Sequence, residues 1–182
     1  ALVWRDRLAV DVGAGMGAFS CAEDAAGPET VAGWRIDETG VSRAVRWDAH
    51  GARNLGQAIA LDSYAFAVDP HGRCAGYGLF ADGEFHALIW QDGRALELGG
   101  NDIGSSYAYG INRFAQVTGS YQVSAVEKQA FVWQNGELKN LNQMLINDNE
   151  WELHAAWDIN ESGQIVGSGA RRGIRRAFCL TP

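Results

Sequence analysis

An all-β array of small antiparallel blades is the fold this sequence predicts, on three observations. Tryptophan recurs at positions 4, 47, 90 and 133, each 43 residues after the last. Every repeat offers four short apolar segments bounded by Gly, Asn and Asp, and no window holds a convincing helical period. Four antiparallel strands in about 40–45 residues is the size of one β-propeller blade. The expectation is a β-propeller-like array of four four-stranded blades in one domain, residues 1–182. Its repeats fall at about 1–43, 44–86, 87–129 and 130–176, with a terminal strand at 177–182.

Each strand of the repeat has its own signature. The Trp strand reads ALVW, AVRW, ALIW and AFVW, with a fifth relative, AFCL, at 177–180. Tight turns follow at Asp92-Gly93 and Asn135-Gly136, with looser versions at Arg5-Asp6 and His50-Gly51. Asn-Gly or Asp-Gly between apolar runs is a strong hairpin signal. A second strand ends in an aliphatic eight residues after each Trp: Val12, Leu55, Leu98 and Leu141. A third carries an aromatic, assigned to Phe19, Phe66, Tyr109 and Trp157. This places Phe19 there in preference to polar Glu23, and gives repeat one a short first loop and a long second one. The fourth strand carries Gly33, Gly76, Gly119 and Gly167, the last spaced 48 residues on because repeat four has a longer loop.

A single blade cannot bury both faces, whereas stacked blades can. The once-per-repeat Trp residues and third-strand aromatics therefore read as packing residues. Cys21, Cys74 and Cys179 fall at aliphatic positions and are expected to be buried free thiols. Their odd number and wide spacing fit neither a disulfide framework nor a metal site.

The net charge of −7 argues against a general nucleic-acid or anionic-membrane binder. No apolar run approaches the roughly 20 residues of a membrane span. Lacking an initiator Met and a signal-peptide pattern, the chain is expected to be a processed or trimmed form. Asp158-Ile159-Asn160-Glu161-Ser162-Gly163 superficially resembles a calcium loop, but the spaced acidic ligands and closing Glu are missing. It reads instead as a hairpin whose Asn160 caps its own turn, with Asn112 and Asp69 as counterparts. No nucleophile elbow, phosphate loop, zinc pattern or paired-carboxylate motif occurs, so neither cofactor nor metal is expected and no catalytic residue is assigned.

Positions where the repeats disagree are the candidate ligand contacts: Trp34, Tyr77, Tyr121 and Trp151. Trp34 and Tyr77 follow the V-x-G-type strand where later repeats have Ser120 and Ser168, and Tyr121 lies one residue further on. Trp151 sits in the longest connection, Asn142 to His154, near Asp148, Glu150 and Glu152. The cluster Arg171, Arg172, Arg175 and Arg176 reads as a solvated hairpin tip rather than an anion site.

The segments "QAFVWQNGELKNLN", "AWDINESGQIVGSG" and "RRAFCLTP" resemble the HAF-repeat family, named for an extracellular repeat. The resemblance covers the chain, close in repeats three and four and looser in one and two, where "AVDPHGRCAG" and "CAEDAAGPETVAG" depart from the pattern. It implies a secreted or surface-exposed bacterial protein with a propeller-like fold, and no catalytic residues.

The function expected is a secreted or surface binding or structural module for a polysaccharide or cell-surface protein. The alternative is a glycan-degrading enzyme, hydrolase or lyase, with carboxylates lining the channel. The Trp-type strand occurs five times and each other strand four times. Either the chain closes as a compact four-bladed ring, or it is a piece of a longer array whose exposed blade faces associate with another copy.

Overall fold

A computed structural model describes residues 1–5, 8–13, 19–27, 29–56, 60–99, 104–146 and 150–182. Asp6 of the first turn and Asp148 of the long loop lie outside the described residues. Among the described residues, seventeen strands form five antiparallel sheets. Sheet I is the hairpin β1 (Leu2–Arg5) and β2 (Leu8–Asp11). Sheet II runs β3 (Phe19–Ala26), β4 (Thr30–Ile36), β5 (Ser42–Asp48) and β6 (Gly51–Asn54). Sheet III runs β7 (Asp62–Val68), β8 (Cys74–Leu79), β9 (Phe85–Gln91) and β10 (Arg94–Glu97). Sheet IV runs β11 (Ser106–Ile111), β12 (Val117–Gln122), β13 (Lys128–Gln134) and β14 (Glu137–Asn140). A 3-10 turn, Leu141–Met144, precedes sheet V: β15 (Trp151–Ile159), β16 (Ile165–Arg171) and β17 (Ile174–Leu180).

The expectation of four four-stranded blades is therefore corrected. Three sheets have four strands, and a two-stranded and a three-stranded sheet flank them. The reason is the phase of the repeat. Each complete sheet begins at the alanine-rich strand and ends at the strand after the Trp, so the Trp strand is third in its sheet rather than first. The same phase puts β1–β2 in the place of a third and fourth strand, and β15–β17 in the place of a first, second and third.

The sheets stack face to face in chain order. The first strand of each packs on the first three strands of the sheet before it: β7 on β3, β4 and β5, β11 on β7, β8 and β9, and β15 on β11, β12 and β13. Fourth strands splay apart, leaving a wedge of about 460 Å³ between β10 and the β13–β14 hairpin. The core lies in layers between sheets. Trp133 points back at sheet III beside Ile89 and Leu98, and Trp90 points back at sheet II beside Ala32 and Ala44. Trp47 points back at sheet I beside Val3 and Val12. Burying a large apolar side chain contributes roughly 1.5–3 kcal/mol, so each once-per-repeat Trp fastens one sheet to its predecessor. Trp4 occupies the same position and is 75% exposed, because no sheet of the described residues precedes it.

Serine fastens the same layers by hydrogen bonding. Ser63 Oγ accepts the Ala44 N–H at 3.0 Å, and Ser106 Oγ accepts the Ala87 N–H at 2.9 Å. Each bond satisfies a buried backbone donor between sheets.

Each first strand carries a β-bulge opposite the repeated glycine. The register shifts between Ala22 and Asp24, Ala65 and Ala67, Ala108 and Gly110, and Ala156 and Asp158. The bulged residues are thus Glu23, Phe66, Tyr109 and Trp157, opposite Gly33, Gly76, Gly119 and Gly167. The bulge presses a first-strand carbonyl against the glycine. A Cβ on Gly119 would lie 2.0 Å from the Tyr107 oxygen and 2.6 Å from the Phe131 ring. That approach is why the glycine recurs in every repeat.

The bulge overturns the assignment of Phe19 to the aromatic position. Glu23 stands there, at the 43-residue spacing, and Phe19 lies at the start of β3. It also moves Cys21 off the position of Ile111: Cys21 is half-buried opposite Trp34. Cys179 is exposed, because its face of sheet V has no following sheet among the described residues. Only Cys74 is the buried thiol expected, its pKa pushed up to about 12 by burial. The third-strand aromatics are not pure core either, since Trp157 is 49% exposed and Phe66 and Tyr109 are half-buried.

The turn residues Asp69, Asn112 and Asn160 cap themselves. Asn160 Oδ1 accepts the N–H groups of Ser162 at 2.9 Å and Gln164 at 3.0 Å. Asn112 Oδ1 accepts those of Phe114 and Gln116, and Asp69 Oδ1 those of His71 and Arg73. In the Asp158–Gly163 stretch Asn160 Oδ1 is thus committed to the backbone.

Candidate functional site

The bulged residue and the second-strand residue eleven positions on are partners in every sheet that has both strands. Glu23 Oε1 accepts the indole N–H of Trp34 at 2.8 Å. Phe66 stacks on Tyr77 with centroids 5.2 Å apart and planes at 17°. The Tyr109 hydroxyl lies 3.2 Å from Ser120 Oγ, and the Trp157 indole N–H donates to Ser168 Oγ at 3.0 Å. Each pair contains at least one aromatic ring. In sheet II the ring is on the second strand, in sheets IV and V on the first, and in sheet III on both.

These rings join across the sheets into one strip. From Phe19 the path runs to Trp34 and on to Tyr64, each step 5.3 Å between centroids. It continues from Tyr64 to Tyr77 at 5.3 Å, then through Phe66 to Tyr109 at 6.5 Å. It ends at Trp157, 4.7 Å beyond Tyr109. Tyr107 and Phe85 flank it, and Lys128 Nζ sits 4.6 Å above the Tyr107 ring. The strip runs over β3, β4, β7, β8, β11 and β15. Its interior rings are half-buried, while Phe19 and Trp157 at its ends are 51% and 49% exposed. Burial pushes the Tyr77 hydroxyl pKa up to about 12 and raises that of Tyr109, so both phenols stay neutral at ordinary pH.

At the sheet V end the strip opens into a cleft of about 460 Å³, lined from both sheets IV and V. Tyr109 and Trp157 supply the rings, Ser120 and Ser168 the hydroxyls, and Lys128, His154, Arg175 and Arg176 the basic groups.

Two of the four residues singled out in the sequence meet on this strip. Trp34 and Tyr77 both contact Tyr64. Tyr121 is elsewhere: it is buried against Phe131, donates to Gln129 Oε1 at 3.2 Å and accepts from Asn140 Nδ2 at 3.0 Å. Trp151 is half-buried with the Arg171 guanidinium 6.0 Å from its ring. It lines a second cleft of about 420 Å³ that shares Lys128 and His154 with the first. The arginine cluster divides into two pairs. Arg171 and Arg172 engage Glu150, whereas Arg175 and Arg176 line the first cleft.

The sequence reading missed Tyr64, Tyr107 and Phe85. Their signal was available in part: Tyr64 and Tyr107 are 43 residues apart, each two residues before a bulged aromatic. In a regular strand that spacing shares one face.

No protein-family model matches the chain, and no curated protein matches it. Solved structures do. The β-propeller domain of the Trilobed protease from Pyrococcus furiosus, described as having an open velcro topology, matches with a TM-score of 0.60 at 15% identity. That match covers 90% of this chain and 52% of that one. The acylaminoacyl peptidase of Pyrococcus horikoshii matches with a TM-score of 0.52 at 15% identity, over 87% of this chain and 26% of that one. The chain thus spans about half and about a quarter of their lengths. At this identity the likeness concerns the fold. With the sheet stacking above, it defines the class: a β-propeller module.

Proposed function

We propose that this propeller module binds an extended polysaccharide along its aromatic strip. The observation that carries the reading is the continuous ring path from Phe19 to Trp157 across four sheets, with an exposed ring at each end. Pyranose rings present an apolar C–H face that stacks on aromatic rings, while their hydroxyls bond to polar groups at the rim. Glu23 and Ser168 supply such groups beside the rings. A location outside the cell, as the HAF-repeat resemblance implies, belongs to the same proposal. The test is calorimetric titration with soluble polysaccharides, comparing the native chain with Trp157→Ala and Trp34→Ala. Binding without release of sugar products, weakened in both variants, supports the reading. Absence of binding, or binding indifferent to both, contradicts it.

We also propose that the end sheets pair with a second copy, head to tail. Trp4 and Leu2 present the face that Trp47 and Val45 bury against sheet I, and Trp4 is 75% and Leu2 65% exposed. At the other end, Cys179 and Val166 present the face that carries the next sheet elsewhere, and Val166 is 45% exposed. Each end thus offers what its opposite lacks. Light scattering supports this with a mass that rises above 19.7 kDa with concentration and falls in Trp4→Ser. A constant mass of 19.7 kDa contradicts it.

A further inference from the structure

Resting on the glycan-binding reading, we infer that the cleft at the sheet V end of the strip selects an acidic glycan, one carrying carboxylate or sulfate groups. The chain has 22 Asp and Glu against 15 Lys and Arg, yet the residues lining this cleft include neither Asp nor Glu. They include Lys128, His154, Arg175 and Arg176. Elsewhere the described cations are mostly paired: Arg43 with Asp37 at 3.0 Å, Arg46 with Asp48 at 2.9 Å, Arg113 with Glu161 at 3.1 Å, Arg171 with Glu150 at 3.2 Å. Lys128, Arg175 and Arg176 make no ion pair among the described residues. Glu152, outside the lining, lies 3.8 Å from His154.

Gathered like charges repel, and an acidic chain has carboxylates to spare for neutralising them. Among the described residues no carboxylate lines this cleft, Glu127 and Glu152 lying in the adjoining one, so the charge of Arg175 and Arg176 is left for a ligand. Guanidinium groups hold carboxylate or sulfate oxygens through paired N–H donors. The neighbouring rings restrict the ligand further. Trp157 is held by its bond to Ser168, and Tyr109 lies 4.7 Å away, forming a floor of two rings inside the charged rim. An anion alone would not need that floor, and a neutral sugar would not need the rim. The cleft volume of about 460 Å³ lies within the usual range for ligand sites.

The experiment titrates the full chain with polygalacturonate, heparin, neutral cellohexaose and polyglutamate, at low and high salt. Arg175→Ala/Arg176→Ala is compared with the native chain. Both arginines are exposed, so the variant keeps its fold, and circular dichroism checks this. The inference expects polygalacturonate or heparin to bind, with affinity falling at high salt. It expects the double variant to lose about tenfold or more in affinity, equivalent to about 1.4 kcal/mol. Binding of polygalacturonate alone identifies carboxylate as the recognised group, and of heparin alone sulfate. Cellohexaose binding as tightly as the acidic glycans, unaffected in the double variant, overturns the inference and leaves the glycan-binding reading standing. Polyglutamate binding as tightly as either acidic glycan overturns it also, since charge without sugar would then suffice. No binding of any glycan overturns both.

Discussion

Glu23 and Trp34 share a hydrogen bond of 2.8 Å at the position where Trp157 and Ser168 share one of 3.0 Å. The aromatic ring has changed strands, but the pair persists. The swap explains how the strip stays continuous while the residue at each position varies. It predicts that Trp34→Ser alone destabilises by about 1–3 kcal/mol, through lost ring contacts with Phe19 and Tyr64. Adding Glu23→Trp restores the sheet V pattern and recovers most of that loss. Urea denaturation of the single and double variants measures both, and a double variant no more stable than the single contradicts the equivalence.

Position in the stack decides what each Trp contributes. Trp133 is buried against sheet III, so Trp133→Ala costs about 3–5 kcal/mol. Trp4 is 75% exposed, so Trp4→Ala in dilute protein costs less than about 1 kcal/mol. Equal losses, read from denaturation midpoints, would contradict the layered packing.

Two glycines test the bulge against ordinary turn strain. Gly119→Ala places a Cβ 2.0 Å from the Tyr107 oxygen, which demands backbone movement, and costs more than about 3 kcal/mol or prevents folding. Gly93, at φ 75°, has nothing within 4 Å of its would-be Cβ. Gly93→Ala costs only the left-handed strain, about 1–2 kcal/mol. Thermal melts of the two variants rank them.

The thiols react in order of access. Cys179 is exposed, Cys21 half-buried with its pKa raised by burial and by Glu23, and Cys74 buried with its pKa pushed up to about 12 by burial. Since the thiolate is the reactive form, alkylation at neutral pH modifies Cys179 first, Cys21 more slowly and Cys74 only on unfolding. Mass spectrometry of timed samples reads the order, and early labelling of Cys74 contradicts the placement of β8.

Asp37 gives the fold an acid-sensitive turn. Bonds from the Thr39 hydroxyl, the Val41 N–H and the Arg43 guanidinium hold its carboxyl well below the usual carboxylate range. A depressed folded pKa contributes stability that is fully present above the unfolded value, about 4, and is lost as pH falls through the folded value. Asp37→Asn therefore melts below the native chain at neutral pH, and the gap narrows in strong acid. A gap that widens with acid contradicts this.

Much of the architecture was legible in the sequence because packing repeats. Trp47, Trp90 and Trp133 meet equivalent surfaces and so recur at one spacing, as do Gly33, Gly76 and Gly119 beneath their bulges. The phase of the sheets was not legible, since periodicity fixes the length of a repeat but not which strand begins a sheet. The bulge also stayed hidden. It leaves no mark on composition, and without it polar Glu23 looked unsuited to an aromatic position. Trp34 and Tyr77 stood out by disagreeing with Ser120 and Ser168. Tyr64 and Tyr107 did not, because they agree with each other, and agreement read as packing. The acid-free cleft joins residues from β11, β12, β13, β15, β16 and β17, a convergence made only by folding.

The most direct test of the strip as a ligand surface is hydrogen–deuterium exchange with and without a bound acidic polysaccharide. Protection is expected on the first and second strands of sheets II to V, strongest at Tyr109, Ser120, Trp157 and Ser168, with the outer strands β6, β10 and β14 unchanged. Protection confined to the outer strands or to the long loop before Trp151 would contradict it.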